Sequence, residues 1–410
     1  MGAAVDELRA SLRLLRSPRF GTFWFASFLS NVGTWAQQVA EPWLLLNLGA
    51  SPFIVGLDAF ASSAPVWALT VLGGALADHA DRRRVIAACQ SLQMLCPALL
   101  TGMLVLRMPV HPALVVVLSL VVGITDALSM PSFQSIVPTL VARDEIPRGL
   151  ALNATQFNLS RIAGPALAGA LLASVGAAAC FGVSAASYVP FVGVALWILP
   201  RRVVRGDLSG ARNPFAGLGT ILAAPRLRGA LLTVFASSLL CAPLVTFCPV
   251  LVRSAFGGSA SHYSLAVGAF GVGGLVGATL LLAVPPTQDR RRWSAAAAIA
   301  HALLVIASSQ ARWYWVLPLT TALAGAAMTV SSTSANGILQ GTSDPRLLGR
   351  AAGMFMLAMR GGMSLGSLLT GATVGALGVR RALLVDGVLA LVVQAAVARA
   401  WLRNPPKEAP

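Results

Sequence analysis

Charge is scarce in this sequence: Asp, Glu, Lys and Arg make up 11% of its 410 residues, where a soluble chain of that length carries about a quarter. That shortage, with 56% hydrophobic residues and a mean hydropathy of +0.76, excludes an ordinary soluble domain and indicates an integral membrane protein. Acids are scarcest, 14 against 30 Lys and Arg, which leaves a formal net charge of +16. Such an excess can mark a nucleic-acid binder, but most of the basic residues fall in segments expected on the cytoplasmic side. That is the positive-inside pattern, and it requires no polyanion, so nucleic acid is not an expected partner. There are only five cysteines, Cys89, Cys96, Cys180, Cys241 and Cys248. All lie inside apolar runs without metal-ligand spacing, so they are read as small core residues, with no disulfide framework and no metal site. No phosphate-cradling loop, metal cluster or nucleophile with its base is present. The sequence therefore speaks against an ATP-driven pump or an enzyme, and no catalytic residue or cofactor is expected.

Long apolar runs are what the chain has in abundance. A hydrocarbon core of about 30 Å needs about 20 apolar residues in a helix, and twelve runs qualify: about 20–48, 52–77, 85–106, 111–138, 150–174, 177–199, 228–252, 262–284, 293–311, 313–340, 349–376 and 380–402. The first is too long for the roughly 7–15 residue apolar region of a cleavable signal. Residues 1–19 precede it, where Leu8, Leu12 and Leu15 face away from Arg9, Arg13 and Arg16. They read as an amphipathic helix on the inner membrane surface. The longest polar segment, 200–227, carries Arg201, Arg202, Arg205, Arg212 and Arg226. It reads as a cytoplasmic linker between an N-terminal bundle at 20–199 and a C-terminal bundle at 228–402, with a tail at 403–410. An even number of spans and a basic N-terminus put both termini in the cytoplasm.

The halves echo each other. Asp81-Arg82-Arg83-Arg84 recurs as Asp289-Arg290-Arg291-Arg292, and Phe25-Ala26-Ser27 recurs at nearly the same offset as Phe235-Ala236-Ser237. Two unrelated matches at nearly one offset indicate an internal repeat of six spans. The second copy has Pro285 and Pro286 where the first has its Gly and first Asp.

The loop between the second and third spans reads GGALADHADRRR, Gly73 to Arg84. From Gly74 it resembles the G-x-L-x-D-R-x-G-R-R signature of the major facilitator superfamily, with Gly74, Leu76, Asp78, Arg82 and Arg83 in matching places. His79 and Asp81 depart from it. The resemblance implies an all-α membrane protein of twelve transmembrane helices in two pseudo-symmetric six-helix bundles. It also implies a gating role for Gly74, Asp78, Arg82 and Arg83, with Asp78 pairing arginines of its own loop or capping the eleventh span. Three stripes of small residues, Ser160/Gly164/Ala168, Ala269/Gly273/Gly277 and Gly362/Gly366/Thr370, let helix backbones approach closely. They fall on spans that in this family join the halves, although tight packing within one half explains any single stripe as well. In the fifth span Gly164-Pro165 and Gly169 are similar to the G-x-x-x-G-P-x-x-G-G signature of proton-linked exporters, with Ser160 and Ala168 replacing two glycines. With GITDALSMPSFQ in the fourth span and LLGR at Leu347 to Arg350, the chain resembles the branch that includes enterobactin exporters and transmembrane secretion effectors.

Ionisable groups inside the bilayer cost at least a few kcal/mol each and mark functional positions by default. Asn31, Thr34, Gln38 and Glu41 recur at helical spacing on the first span, which in the family lines the central cavity. Glu41 lies about 31 Å along that span, near its outer mouth, so it is either a proton carrier or a solvated carboxylate. Asp126 and Arg161 both fall roughly 20 Å from the inner face on adjacent antiparallel spans. They are expected to meet either as a structural ion pair or as a proton-sensitive one. In the C-terminal half the one acid inside a span is Asp386, near its outer end. Arg360 is therefore expected to meet a substrate anion or an acid of the other half. Its fork suits carboxylates, pointing to cargo with an acidic or catechol-like group on an apolar body. Thr329, Ser332, Asn336 and Gln340 form a polar stripe that suits either a ligand or the helix's own carbonyls.

These features describe a proton-gradient-driven secondary exporter of a small amphiphilic or anionic metabolite, siderophore or drug. It is expected to work by alternating access, as a monomer in the inner membrane of a bacterium. Its partners would be a small-molecule substrate and the lipid bilayer. A uniporter or importer and a transporter-like sensor or scaffold are the alternatives. A sensor predicts that the intramembrane charges do not affect cargo.

Overall fold

A computed structural model describes residues 2–67, 69, 80–198, 223–283, 288–342 and 348–403. Among them there is no strand, as the run lengths require: an apolar segment in lipid must satisfy its backbone within itself, and a helix does so. The helices are α1 (Gly2–Leu15), α2 (Phe20–Asn47), α3 (Pro52–Ser63), α4 (Arg82–Val105), α5 (Pro112–Leu140), α6 (Ile146–Ser174) and α7 (Ala177–Trp197). They are followed by α8 (Pro225–Leu240), α9 (Pro243–Thr246), α10 (Cys248–Phe256), α11 (Ala260–Leu282), α12 (Arg290–Gln310), α13 (Val316–Thr342), α14 (Leu348–Leu377) and α15 (Val379–Leu402). Eight candidate spans among the described residues are long and apolar enough to cross a membrane. Proline opens α3, α5 and α8, where its missing N–H costs no hydrogen bond.

The chain divides into two compact units, Met1–Leu44 with Pro65–Arg212 and Leu45–Ala64 with Asn213–Pro410. The apolar runs alone assign α3 to the first bundle, whereas compactness groups it with the second. The reason is close packing along α14: a Cβ on Gly56 would collide with the Ser367 carbonyl oxygen and lie 3.1 Å from the Cα of Gly371. In the first unit α4 packs against α5 and α7, over an aromatic core in which Phe133 stacks on Phe191 at 5.1 Å and Phe23 tilts against it at 5.9 Å. In the second, α13 packs on α11 and α12, and α8 packs on α14 and α15.

The repeat read from sequence has a local structural counterpart. Asp81 and Asp289 cap α4 and α12 in the same way: each carboxylate accepts a 3.1 Å hydrogen bond from the backbone N–H two residues on, Arg83 and Arg291. Those arginines then serve a helix end. Arg83 Nη1 donates to the Leu196 carbonyl at 2.6 Å, and Arg291 Nη1 to the Trp401 carbonyl at 3.5 Å, near the C-termini of α7 and α15. Orphan carbonyls and the negative helix end favour a cation there. In the second copy the cap carboxylate also binds the Arg291 side chain, at 2.7 Å from Asp289 Oδ2. That bond holds the Asp289 carboxyl below the usual carboxylate range. Gly176 and Gly378, at φ 97° and 79°, make the tight links from α6 to α7 and from α14 to α15.

Glycines of all three small-residue stripes pack tightly inside a unit, one of the two readings their spacing allowed: Gly164 meets Val32 and Ala36 of α2, Gly273 and Gly277 meet Ala322 and Ala326 of α13, and Gly362 and Gly366 meet α8 at Phe235 to Leu239. α1 docks through Leu14, which is buried among Phe20, Ile136 and Leu140, with Leu15 packed beside it, while Leu12 is exposed.

Candidate functional site

The polar residues of α2 separate into two sets. Asn31 Nδ2 donates to Gln156 Oε1 at 3.2 Å, and Gln156 Nε2 to Asn153 Oδ1 at 3.3 Å, forming an amide ladder onto α6. Thr34 shares a 2.9 Å hydrogen bond with the Tyr188 hydroxyl of α7. Glu41 is 8% exposed and accepts from Ser119 Oγ of α5 at 2.8 Å. Glu41 is thus a buried, hydrogen-bonded carboxylate in this structure. Gln38 does the opposite and is exposed. Its neighbour Gln37, which the spacing argument passed over, is buried and accepts from Ser184 Oγ at 2.8 Å.

Asp126, half-buried on α5, lies within electrostatic reach of Tyr188 on α7 and Cys89 on α4. Glu41 and Cys96 act on the same Tyr188 hydroxyl. The two carboxylates singled out in the sequence are thus both within electrostatic reach of Tyr188, whose hydroxyl pairs with Thr34. That neighbour was missed by spacing alone: Tyr188 lies 154 residues from Thr34 in sequence.

Arg161 does not pair with Asp126. Among the described residues its guanidinium makes no ion pair and instead lies over the Trp35 ring, 5.4 Å from the centroid. Gly164 supplies the reason. With no Cβ it lets α6 press onto α2, where any Cβ would collide with that of Trp35 and lie 2.9 Å from the Val32 carbonyl oxygen. One turn earlier, Arg161 is carried over Trp35. Pro165 is buried beside Gly164, and Gly169 is half-buried further along α6.

In the second unit Ser332 bonds back to the Thr329 carbonyl at 3.4 Å. It lines a small cleft with Ser237, Ser238, Ser331, Met328 and Met359. Asn336 and Arg360 are half-buried and each has an interaction within the protein. Asp386 is buried and accepts from Thr370 Oγ1 at 2.7 Å. Of the gating signature, Arg82 and Arg83 form the first turn of α4, while Gly74 and Asp78 lie outside the described residues. Among the described residues no group of His, Cys, Asp and Glu could hold a metal ion.

A family profile described as transmembrane secretion effector matches residues 10–409. The chain is 26% identical over 264 residues to the staphyloferrin A transporter of Staphylococcus aureus, covering 63% of this chain and 66% of that protein. It is also 26% identical over 376 residues to the enterobactin exporter EntS of Salmonella choleraesuis, covering 88% and 87%. Among solved structures the nucleoside transporter NupG superposes with a TM-score of 0.72 at 14% identity, over 93% of this chain and 99% of that one. At that identity the likeness concerns the fold. The chain therefore belongs to the transmembrane secretion effectors of the major facilitator superfamily, multi-pass membrane transporters that are not enzymes.

Proposed function

We propose that this protein is an inner-membrane antiporter that exports a small amphiphilic or anionic molecule in exchange for protons, by alternating access and as a monomer. The carrying observation is a set of two intramembrane carboxylates, Glu41 buried against Ser119 Oγ and Asp126 half-buried on α5, both within electrostatic reach of Tyr188, whose hydroxyl pairs with Thr34. A charged carboxylate at this depth costs several kcal/mol, and proton relays are a principal reason for keeping one there. The names of the relatives, a staphyloferrin A transporter and an enterobactin exporter, support cargo of the siderophore class.

Inverted membrane vesicles test this. Energised to pump protons inward, vesicles containing the protein are expected to accumulate a labelled substrate from a panel of siderophores and aromatic acids. A protonophore should abolish the accumulation, and accumulation indifferent to it would refute exchange. The same vesicles test the latch implied by the loop signature: Asp78→Asn should leave the amount of protein unchanged and lower turnover severalfold. A wild-type rate in that variant removes Asp78 from gating.

A further inference from the structure

We propose that Arg161, backed by Trp35 and Phe157, is the anion-receiving group of the substrate site, and that the cargo carries a carboxylate or similar planar oxyanion beside an aromatic or apolar ring. The proposal rests on the transporter reading and deepens it. Arg161 lies near the middle of the 29-residue α6, so at 1.5 Å per residue it is roughly 20 Å from either end, too deep for a lipid headgroup to reach. A guanidinium at such depth needs compensation. Among the described residues it has neither an ion pair nor a hydrogen bond, and its contact is the face of Trp35.

That contact is worth about 0.5 to 2 kcal/mol and engages only one face of the group. The five N–H donors point outward in the guanidinium plane, and a carboxylate or phosphate fits that edge bidentately. No carboxylate among the described residues makes an ion pair with Arg161, and Glu41 accepts instead from Ser119 Oγ. Phe157 stands edge-on to Trp35, 6.0 Å between centroids, and is 44% exposed. An accessible aromatic shelf thus adjoins the cation. The amides of Asn31, Asn153 and Gln156 are tied to one another beside it and bring no opposing charge.

Salicylate and its neutral isostere salicylamide separate the charge from the ring. Equilibrium dialysis would use the full chain in phosphatidylcholine nanodiscs, with empty discs subtracted and no gradient imposed. Salicylate is expected to bind at least about tenfold more tightly than salicylamide. Arg161→Gln should bring the ratio close to one, and Arg161→Lys, which keeps charge and loses the fork, should leave an intermediate ratio. A wild-type protein with no preference for salicylate overturns the proposal, as does a monodisperse Arg161→Gln or Arg161→Lys protein with the full preference. Loss of salicylate binding when phosphatidylglycerol is added would assign the guanidinium to lipid and overturn it too. Because binding is read without a gradient, it stands or falls independently of vesicle uptake: preference without uptake would sink the transport reading alone.

Discussion

Exchanging Asp126 for Asn is expected to abolish gradient-driven uptake into inverted vesicles, by an order of magnitude or more, while substrate binding stays measurable. The substitution keeps the size and planarity of the side chain and removes its ability to take up and release a proton. Asp126 is half-buried on α5, and the exchange is isosteric, so packing should survive. Glu41→Gln, made in parallel, should weaken coupling and also disturb the bond from Ser119 Oγ, so its effect mixes coupling with packing. The check is the pH dependence of uptake in each variant. Unchanged pH dependence in Asp126→Asn would move the proton site to Glu41; unchanged dependence in both variants would remove the cluster from the mechanism.

The second large effect is on folding. Gly325→Val should lower the melting temperature sharply and reduce the yield of monodisperse protein. A Cβ at Gly325 would collide with the Phe270 carbonyl oxygen and lie 3.1 Å from the Gly274 backbone nitrogen, while across the same crossing Gly273 meets the backbone of Ala322. Overpacking a core typically costs about 1–3 kcal/mol, and here the obstructing atoms are backbone of a facing helix, which yields less readily than a side chain. Between helices in lipid such contact is itself the adhesive, so separating the backbones removes it. Gly375→Ala on α14 is the control, since nothing lies within 4 Å of its Cβ position. Thermal unfolding in detergent should separate the two variants clearly; equal melting temperatures would mean that the α11–α13 crossing is not a source of stability.

Much of the fold was legible because lipid imposes strong rules. Run length gives a helix, and the recurrence of Asp-Arg-Arg-Arg gives the repeat, since one carboxylate two residues before an N–H makes one kind of cap wherever it occurs. What sequence could not supply was the direction in which each helix turns. Asp126 and Arg161 have matching depths, so a pair was expected, but depth fixes position along an axis and not rotation about it. Gly164 decided that rotation by pressing α6 onto α2. The same limitation explains Gln37 and Gln38: adjacent on a helix, they differ by about 100°, enough to bury one amide and expose the other. Arg360 stood out because its own half offered few acids; depth gave no such sign for Arg161, which lies over the Trp35 ring. Tyr188, the hydroxyl partner of Thr34, carries no motif and is found only by folding the chain.

Proton movement driven by substrate tests the central claim most directly. Proteoliposomes holding a pH-sensitive dye are loaded with the substrate that the vesicle assay identifies and then diluted into substrate-free buffer. Exchange predicts that the lumen acidifies as substrate leaves, and that the acidification is absent with Asp126→Asn. Substrate efflux with no change in lumenal pH, or with alkalinisation, would show uniport or symport and contradict it.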